Sequence, residues 1–165
     1  SARSISVSTM LEFIAARGSA SFLQTPAWAR VKSEWRGERV GFYDGDELTG
    51  VGLILYRKLP KLPRYLAYLP EGPVLDWSRD DIAEHFDALV THVKKRQAFA
   101  VRIGPAVVHR IWGTKTIKTA IADDNITSLT EVEPDVVTPE GEHVVSVLKQ
   151  GGWITDETDQ GFAAC

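Results

Sequence analysis

The sequence predicts an α/β fold built on a mixed sheet, and three features carry that prediction. The first is the stretch Arg64 to Trp77, RYLAYLPEGPVLDW, in which a strand rich in aromatic and apolar residues stops at Pro70 and a short apolar piece, Val74-Leu75, follows the turn. The second is the Asp44-Gly45 pair between two apolar runs, a hairpin signal. The third is a strand–helix–strand order from Leu66 to Ile103, whose length suits a right-handed crossover and makes its two strands parallel or nearly so. An antiparallel hairpin and a parallel crossover in one chain give a mixed sheet.

Composition sets the bounds. At 165 residues, 44% hydrophobic and 25% charged, the chain has enough apolar material for one large domain. A net charge of −3 argues against a dedicated nucleic-acid binder. A single cysteine, Cys165, excludes an intramolecular disulfide and a cysteine-based zinc site, so a cytoplasmic location fits best. The apolar run Met10 to Ala16 contains Glu12 and is too short for a signal peptide or a membrane span. The start at Ser1 rather than methionine points to a trimmed chain.

Taken in order, Ser4 to Val7 reads as a short strand, and Ser8 to Arg17 as a helix stopped by Gly18. Thr25 and Pro26 then read as the cap and first residue of a helix whose face carries Trp28, Val31 and Trp35, with Lys32 at the edge of that face. Arg39 to Asp44 and Leu48 to Arg57 form the hairpin; Gly50 and Gly52 mark either a bulge or a close approach. The following loop carries Arg57, Lys58, Lys61 and Arg64 among prolines, a solvated loop or a landing place for phosphate or RNA backbone. In the turn Glu71-Gly72-Pro73, Gly72 is free to take a positive φ, and the turn delivers a carboxylate at Asp76.

Ser78 is expected to cap a helix reaching about Gln97, with Asp81 as a capping-box partner and Ile82, Phe86, Leu89, Val90 and Val93 as its buried stripe. Lys94, Lys95 and Arg96 suit the negative end of its dipole. Phe99 to Ile103 reads as a buried strand carrying Arg102. Thr116 to Ala122 reads as a short helix, Asp123 to Val136 as an acidic surface excursion, and Thr138-Pro139 opens a last helix to about Gln150. Trp153-Ile154 and Gln160 to Cys165 read as the beginnings of further strands.

Standard catalytic signatures are absent from the sequence. It has no nucleophile elbow, Walker loop or dinucleotide fingerprint. His85, His92, His109 and His143 lack metal-ligand spacing and read as surface or packing residues, so no metal is expected. The element order resembles the acyltransferase fold called GNAT, in which a coenzyme A diphosphate sits on a glycine-rich turn at a helix N-terminus. Here that segment reads EGPVLDW, whose proline and carboxylate suit a diphosphate poorly. No cofactor is expected.

The order FLQTPAWARVKSEW, hairpin, YLAYLPEGPVLDW, helix, AFAVRIGP is similar to the N-terminal lobe of the FemABX family, particularly its actinobacterial members, from about Phe22 to Ala164. The resemblance implies one GNAT-like lobe over residues 1–165, with a second lobe absent from this chain. It implies transfer of an amino acid from aminoacyl-tRNA to the stem peptide of a peptidoglycan precursor, in the cytoplasm. The partners would be UDP-MurNAc-pentapeptide or a lipid-linked precursor and, through the second lobe, the aminoacyl-tRNA. Lys32 would pair with precursor phosphate, Tyr68 would contact its sugar or peptide, and Asp76 would orient or deprotonate the acceptor amine. Gly72, Pro73 and Arg102 complete the implied substrate-binding set. On composition alone, these same positions read as a solvated lysine, a core tyrosine, a helix-flanking aspartate and an arginine in a structural ion pair. Glu71 stands where some relatives carry a basic residue. The chain alone is expected to be catalytically incomplete, with possible dimerisation by an exposed final strand. Two other classes compete: a GNAT acetyltransferase using acetyl-coenzyme A, and a non-catalytic truncated binding domain.

Overall fold

In the computed structural model, which describes residues 1–155, the chain divides into two compact units, Ser1–Val108 and His109–Cys165. The first contains the mixed sheet: β1 (Ala2–Ser4), β2 (Arg36–Asp44), β3 (Glu47–Lys58), β4 (Tyr65–Leu69), β5 (Val74–Leu75) and β6 (Ala98–Ile103). Its order is β1-β2-β3-β4-β6, with β5 also paired to β3. All pairs are antiparallel except β4 and β6, the strands joined by the crossover, which are parallel. This is the mixed α/β arrangement that the hairpin and crossover predict.

Strand alternation divides the core into two faces. On one face, Val51, Leu53, Leu55 and Val74 pack with Met10 of α1 (Val7–Ala15) and with Trp28 and Ala29 of α2 (Pro26–Val31). The other face receives α3 (Ile82–Lys95), whose Ile82, Phe86, Leu89 and Val93 are buried as the stripe predicts, whereas Val90 is half-buried. His85 and His92 are buried too: His85 bonds to Thr49 at 2.8 Å and His92 reaches Glu38 at 3.1 Å.

Several expectations are corrected. α2 ends at Val31 with Lys32 as its C-cap, so Trp28, Val31 and Trp35 do not share a helix face, and Val31 is 63% exposed. Pairing wins over helical spacing, because the chain must enter β2 at Arg36 to meet Tyr56. Thr25 is the N-cap residue, but its hydroxyl donates to the Phe22 carbonyl instead of accepting a helix amide. α3 begins at Ile82 rather than Ser78, since Ser78 bonds to Asp76 and Asp81 grips Arg79. β6 is the edge strand among the described residues, and Phe99 is 54% exposed rather than buried. Gly72 does not take the positive φ; Glu71 does, at 47°, and the Gly72–Pro73 peptide is cis. Gly50 and Gly52 reflect close approach within the protein: a Cβ at Gly50 would overlap Leu75, and one at Gly52 would crowd Leu69 and Val40. The register of β2 and β3 also shifts beside Gly50.

In the second unit, β7 (Arg110–Ile111) pairs with β8 (Val136–Val137), and α4 spans Thr114–Ile121. α5 (Pro139–Gln150) starts as predicted, with the Thr138 hydroxyl accepting from the Gly141 amide. Trp153 does not begin a strand; its amide bonds to the Leu148 carbonyl as part of the helix end. The strand expected over Gln160 to Cys165, with the edge pairing inferred from it, lies outside the described residues. Among the described residues, no helix is long and apolar enough to cross a membrane.

Candidate functional site

The site is built on the sheet face covered by α1 and α2. Register aligns Leu55 of β3, Tyr68 of β4 and Arg102 of β6 across the sheet, so the side chains of Tyr68 and Arg102 stand on one face. The Arg102 guanidinium carbon lies 5.9 Å from the Tyr68 ring centre. Trp35, brought in by the turn after α2, lies 6.3 Å from the same ring at a 57° tilt, and Arg57 caps Trp35 at 5.7 Å. One turn earlier, the Lys32 ammonium sits 5.6 Å from the Trp28 ring, which Phe22 meets edge-on at 5.4 Å. The result is a row of two aromatic pairs whose tryptophans pack against the same core cluster: Phe22–Trp28 with Lys32, and Trp35–Tyr68 with Arg57 and Arg102. Such a row offers flat apolar surface to a sugar or peptide and positive charge to an anion.

The PEGP turn borders this row, and a buried glutamine fixes it. The Gln24 side chain is fully buried; its Nε2 donates to the Pro70 carbonyl at 2.6 Å, and its Oε1 accepts from the Leu53 amide at 2.8 Å. Gly72 lies directly against that amide, where any Cβ would overlap it. Beyond the turn, a cleft of about 180 Å³ opens between Ser19, Ser21, Glu71, Leu75, Trp77 and Ala106.

The structure therefore brings Lys32, Tyr68, Gly72, Pro73 and Arg102 to one region and sets Asp76 apart. Tyr68 is in register with Leu55, whereas Leu75 is in register with Gly50. Asp76, one residue beyond Leu75, is thus offset from Tyr68 by six residues along β3, about 20 Å. Asp76 is exposed, and its Oδ1 accepts from the Ser78 hydroxyl at 2.7 Å and the Ser78 amide at 3.1 Å. These bonds lower its pKa below the ordinary aspartate value. It is a persistent carboxylate, better suited to holding an ammonium than to removing a proton.

On the opposite face, a second network anchors α3 and β1 to the sheet. Glu38 accepts from Ser4, Tyr56 and Arg96, and its Oε1 lies 3.1 Å from His92 Nε2. Burial alone would raise the Glu38 pKa, but hydrogen bonds from His92, Ser4, Tyr56 and Arg96 together hold it far below the usual carboxylate range. Burial, then the bond to Glu38, push the Tyr56 hydroxyl well above the ordinary tyrosine value.

Sequence reasoning missed Gln24, Trp35 as a partner of Tyr68, and Glu38. Gln24 carries no periodic signal. Glu38 is legible once β2 is seen to begin at Arg36, because it then alternates inward with Val40 and Phe42. A diphosphate at the start of α3 would meet Asp80, Asp81 and Glu84, an arrangement opposed to the helix dipole's usual attraction for anions.

Comparison with known proteins matches residues 5–132 to the model of the FemAB family. The chain belongs to the FemAB family. It is 34% identical over 98 residues to a lipid II:glycine glycyltransferase of Staphylococcus saprophyticus, covering 58% of this chain and 24% of that protein. The corresponding Staphylococcus haemolyticus protein is 35% identical over 98 residues, with 23% of its length covered. Among solved structures, a crystal structure of FemX superposes with a TM-score of 0.54 at 28% identity, over 74% of this chain and 31% of that one. The chain thus spans about a quarter of the length of these curated relatives.

Proposed function

We propose that this chain is the precursor-binding lobe of an aminoacyltransferase that adds an amino acid from aminoacyl-tRNA to the stem peptide of a peptidoglycan precursor. The observation that carries the reading is the row of Trp28, Lys32, Trp35, Tyr68 and Arg102 beside the Gln24-locked turn, in a chain of the FemAB family. Lys32 and Arg102 supply positive charge for precursor phosphate, and Trp35 and Tyr68 supply faces for sugar or peptide. Pro73 lines the cleft, and Gly72, buried against Gln24, fixes the turn behind it. The offset of about 20 Å along the strands to Asp76 suits an extended ligand, with phosphate at the Lys32 end and the acceptor amine near the carboxylate. In the transfer, the acceptor ammonium first gives up one proton to water; the neutral amine then attacks the aminoacyl ester carbonyl, an amide bond forms, the ester bond breaks, and the amine's second proton goes to the departing tRNA hydroxyl. Asp76 holds and orients the amine before attack. The tRNA-binding surface and the rest of the catalytic cleft belong to the second lobe.

Calorimetric titration tests the reading, with UDP-MurNAc-pentapeptide as ligand and acetyl-coenzyme A as comparison. Saturable heat with the precursor alone, weakened in Lys32→Ala, is the expected result. Saturation by acetyl-coenzyme A alone would replace this reading with an acetyltransferase.

A further inference from the structure

Charge on the first unit is segregated along the strands. Arg36 opens β2 opposite Tyr56, Lys58 closes β3 opposite Tyr65, and Tyr65 pairs with Ala98 just after α3 ends. The Tyr65 amide bonds to the Gln97 carbonyl at 3.2 Å, joining the loop between β3 and β4 to the end of α3. One end of the sheet therefore gathers Arg36, Lys58, Lys61, Arg64, Lys94 and Lys95, all exposed. None of these six is ion-paired among the described residues, whereas Arg96 beside them is held by Glu38. Glu34, just ahead of β2, is the nearest exposed acid in sequence. The hairpin turn and the start of α3, at the far end, carry Asp44, Asp46, Glu47, Asp80, Asp81 and Glu84.

The basic end also carries apolar surface. Leu62, between Lys61 and Pro63, is 55% exposed, and Phe99, at the start of β6, is 54% exposed. The loop that holds Leu62 is pinned at its base by the Leu59 amide on the Arg64 carbonyl at 2.9 Å. An exposed leucine at the tip of a lysine- and arginine-rich loop suits a bilayer interface, where the cations meet anionic headgroups and the apolar side chain enters the acyl boundary. Single-stranded RNA would instead call for a platform of several exposed rings, whereas among the described residues this end shows one, Phe99, and Tyr65 is half-buried.

We propose that this basic end, with Leu62 at its tip, is a docking surface for an anionic lipid bilayer. The charge segregation orients the lobe with this end toward the membrane and the acidic end away. Its value for reaching a lipid-linked acceptor rests on the function proposed above; the docking itself does not.

The test is co-sedimentation of the chain with vesicles of phosphatidylcholine alone and with about one-third phosphatidylglycerol. Binding to the mixed vesicles only, lost near 1 M salt where the screening length falls to about 3 Å, is expected. The combined change Lys58→Ala, Lys61→Ala and Arg64→Ala lowers partitioning about 100-fold, at roughly five-fold per charge. The charge-keeping change Lys58→Arg with Lys61→Arg retains it, and an unchanged urea midpoint shows that both variants are folded. Equal binding to both vesicle types, no binding to either, or full binding by the alanine variant would overturn the proposal. So would a duplex RNA that binds through the same residues more tightly than the vesicles. Precursor titration separates the two proposals: vesicle binding without precursor binding would overturn only the earlier one.

Discussion

Gln24 shows how much one uncharged side chain can fix. It satisfies a buried amide of β3 and a buried carbonyl of the PEGP turn, and it fills the space that glycine leaves at position 72. Gln24→Ala strands both backbone groups, at about 1–3 kcal/mol each, so its unfolding free energy in urea should fall by about 3 kcal/mol. Gly72→Ala overpacks the same contact and should cost about 2 kcal/mol. Glu38 governs the acid limb of stability. Its folded pKa is depressed, so its contribution is fully present above the unfolded value of 4.5 and is lost as pH falls through the folded one. Thermal unfolding from pH 7 downward should show stability declining below about pH 5. Glu38→Gln should flatten that decline while costing about 2 kcal/mol at neutral pH.

Among the elements, those with strong local chemistry were legible in the sequence. The stop of β4 at Pro70, the hairpin at Asp44-Gly45, the buried stripe of α3 and the capped start of α5 all follow from residues acting on their own neighbours. Elements decided by distant partners were not. The early end of α2 depends on β2 pairing with β3, and the exposure of Phe99 depends on β6 lying at the edge of the described sheet. Lys32, Tyr68 and Arg102 could be named individually, but the common face of Tyr68 and Arg102 required the register. Asp76 was legible as a carboxylate after a turn, whereas its bonds to Ser78 were not. Asp76→Asn keeps an oxygen for those bonds and removes the charge. If Asp76 holds the acceptor amine, affinity for UDP-MurNAc-pentapeptide drops about three-fold, as for an exposed ion pair, and affinity for peptide-free UDP-MurNAc is unchanged. An equal loss for both ligands in parallel titrations would remove Asp76 from that role.

At the scale of the whole molecule, family membership covers residues 5–132, while the chain spans about a quarter of the curated relatives it matches. The proposed function therefore gives this chain a binding task. Its central claim is that the aromatic–cation row and the PEGP turn receive one extended precursor. The most direct measurement is amide chemical-shift mapping of the isotope-labelled chain during titration with UDP-MurNAc-pentapeptide. The predicted result is a contiguous set of shifts at Lys32 to Trp35, Tyr68 to Gly72 and Arg102, extending along β5 to Asp76. Shifts confined to the start of α3, or none at saturating ligand, would contradict it.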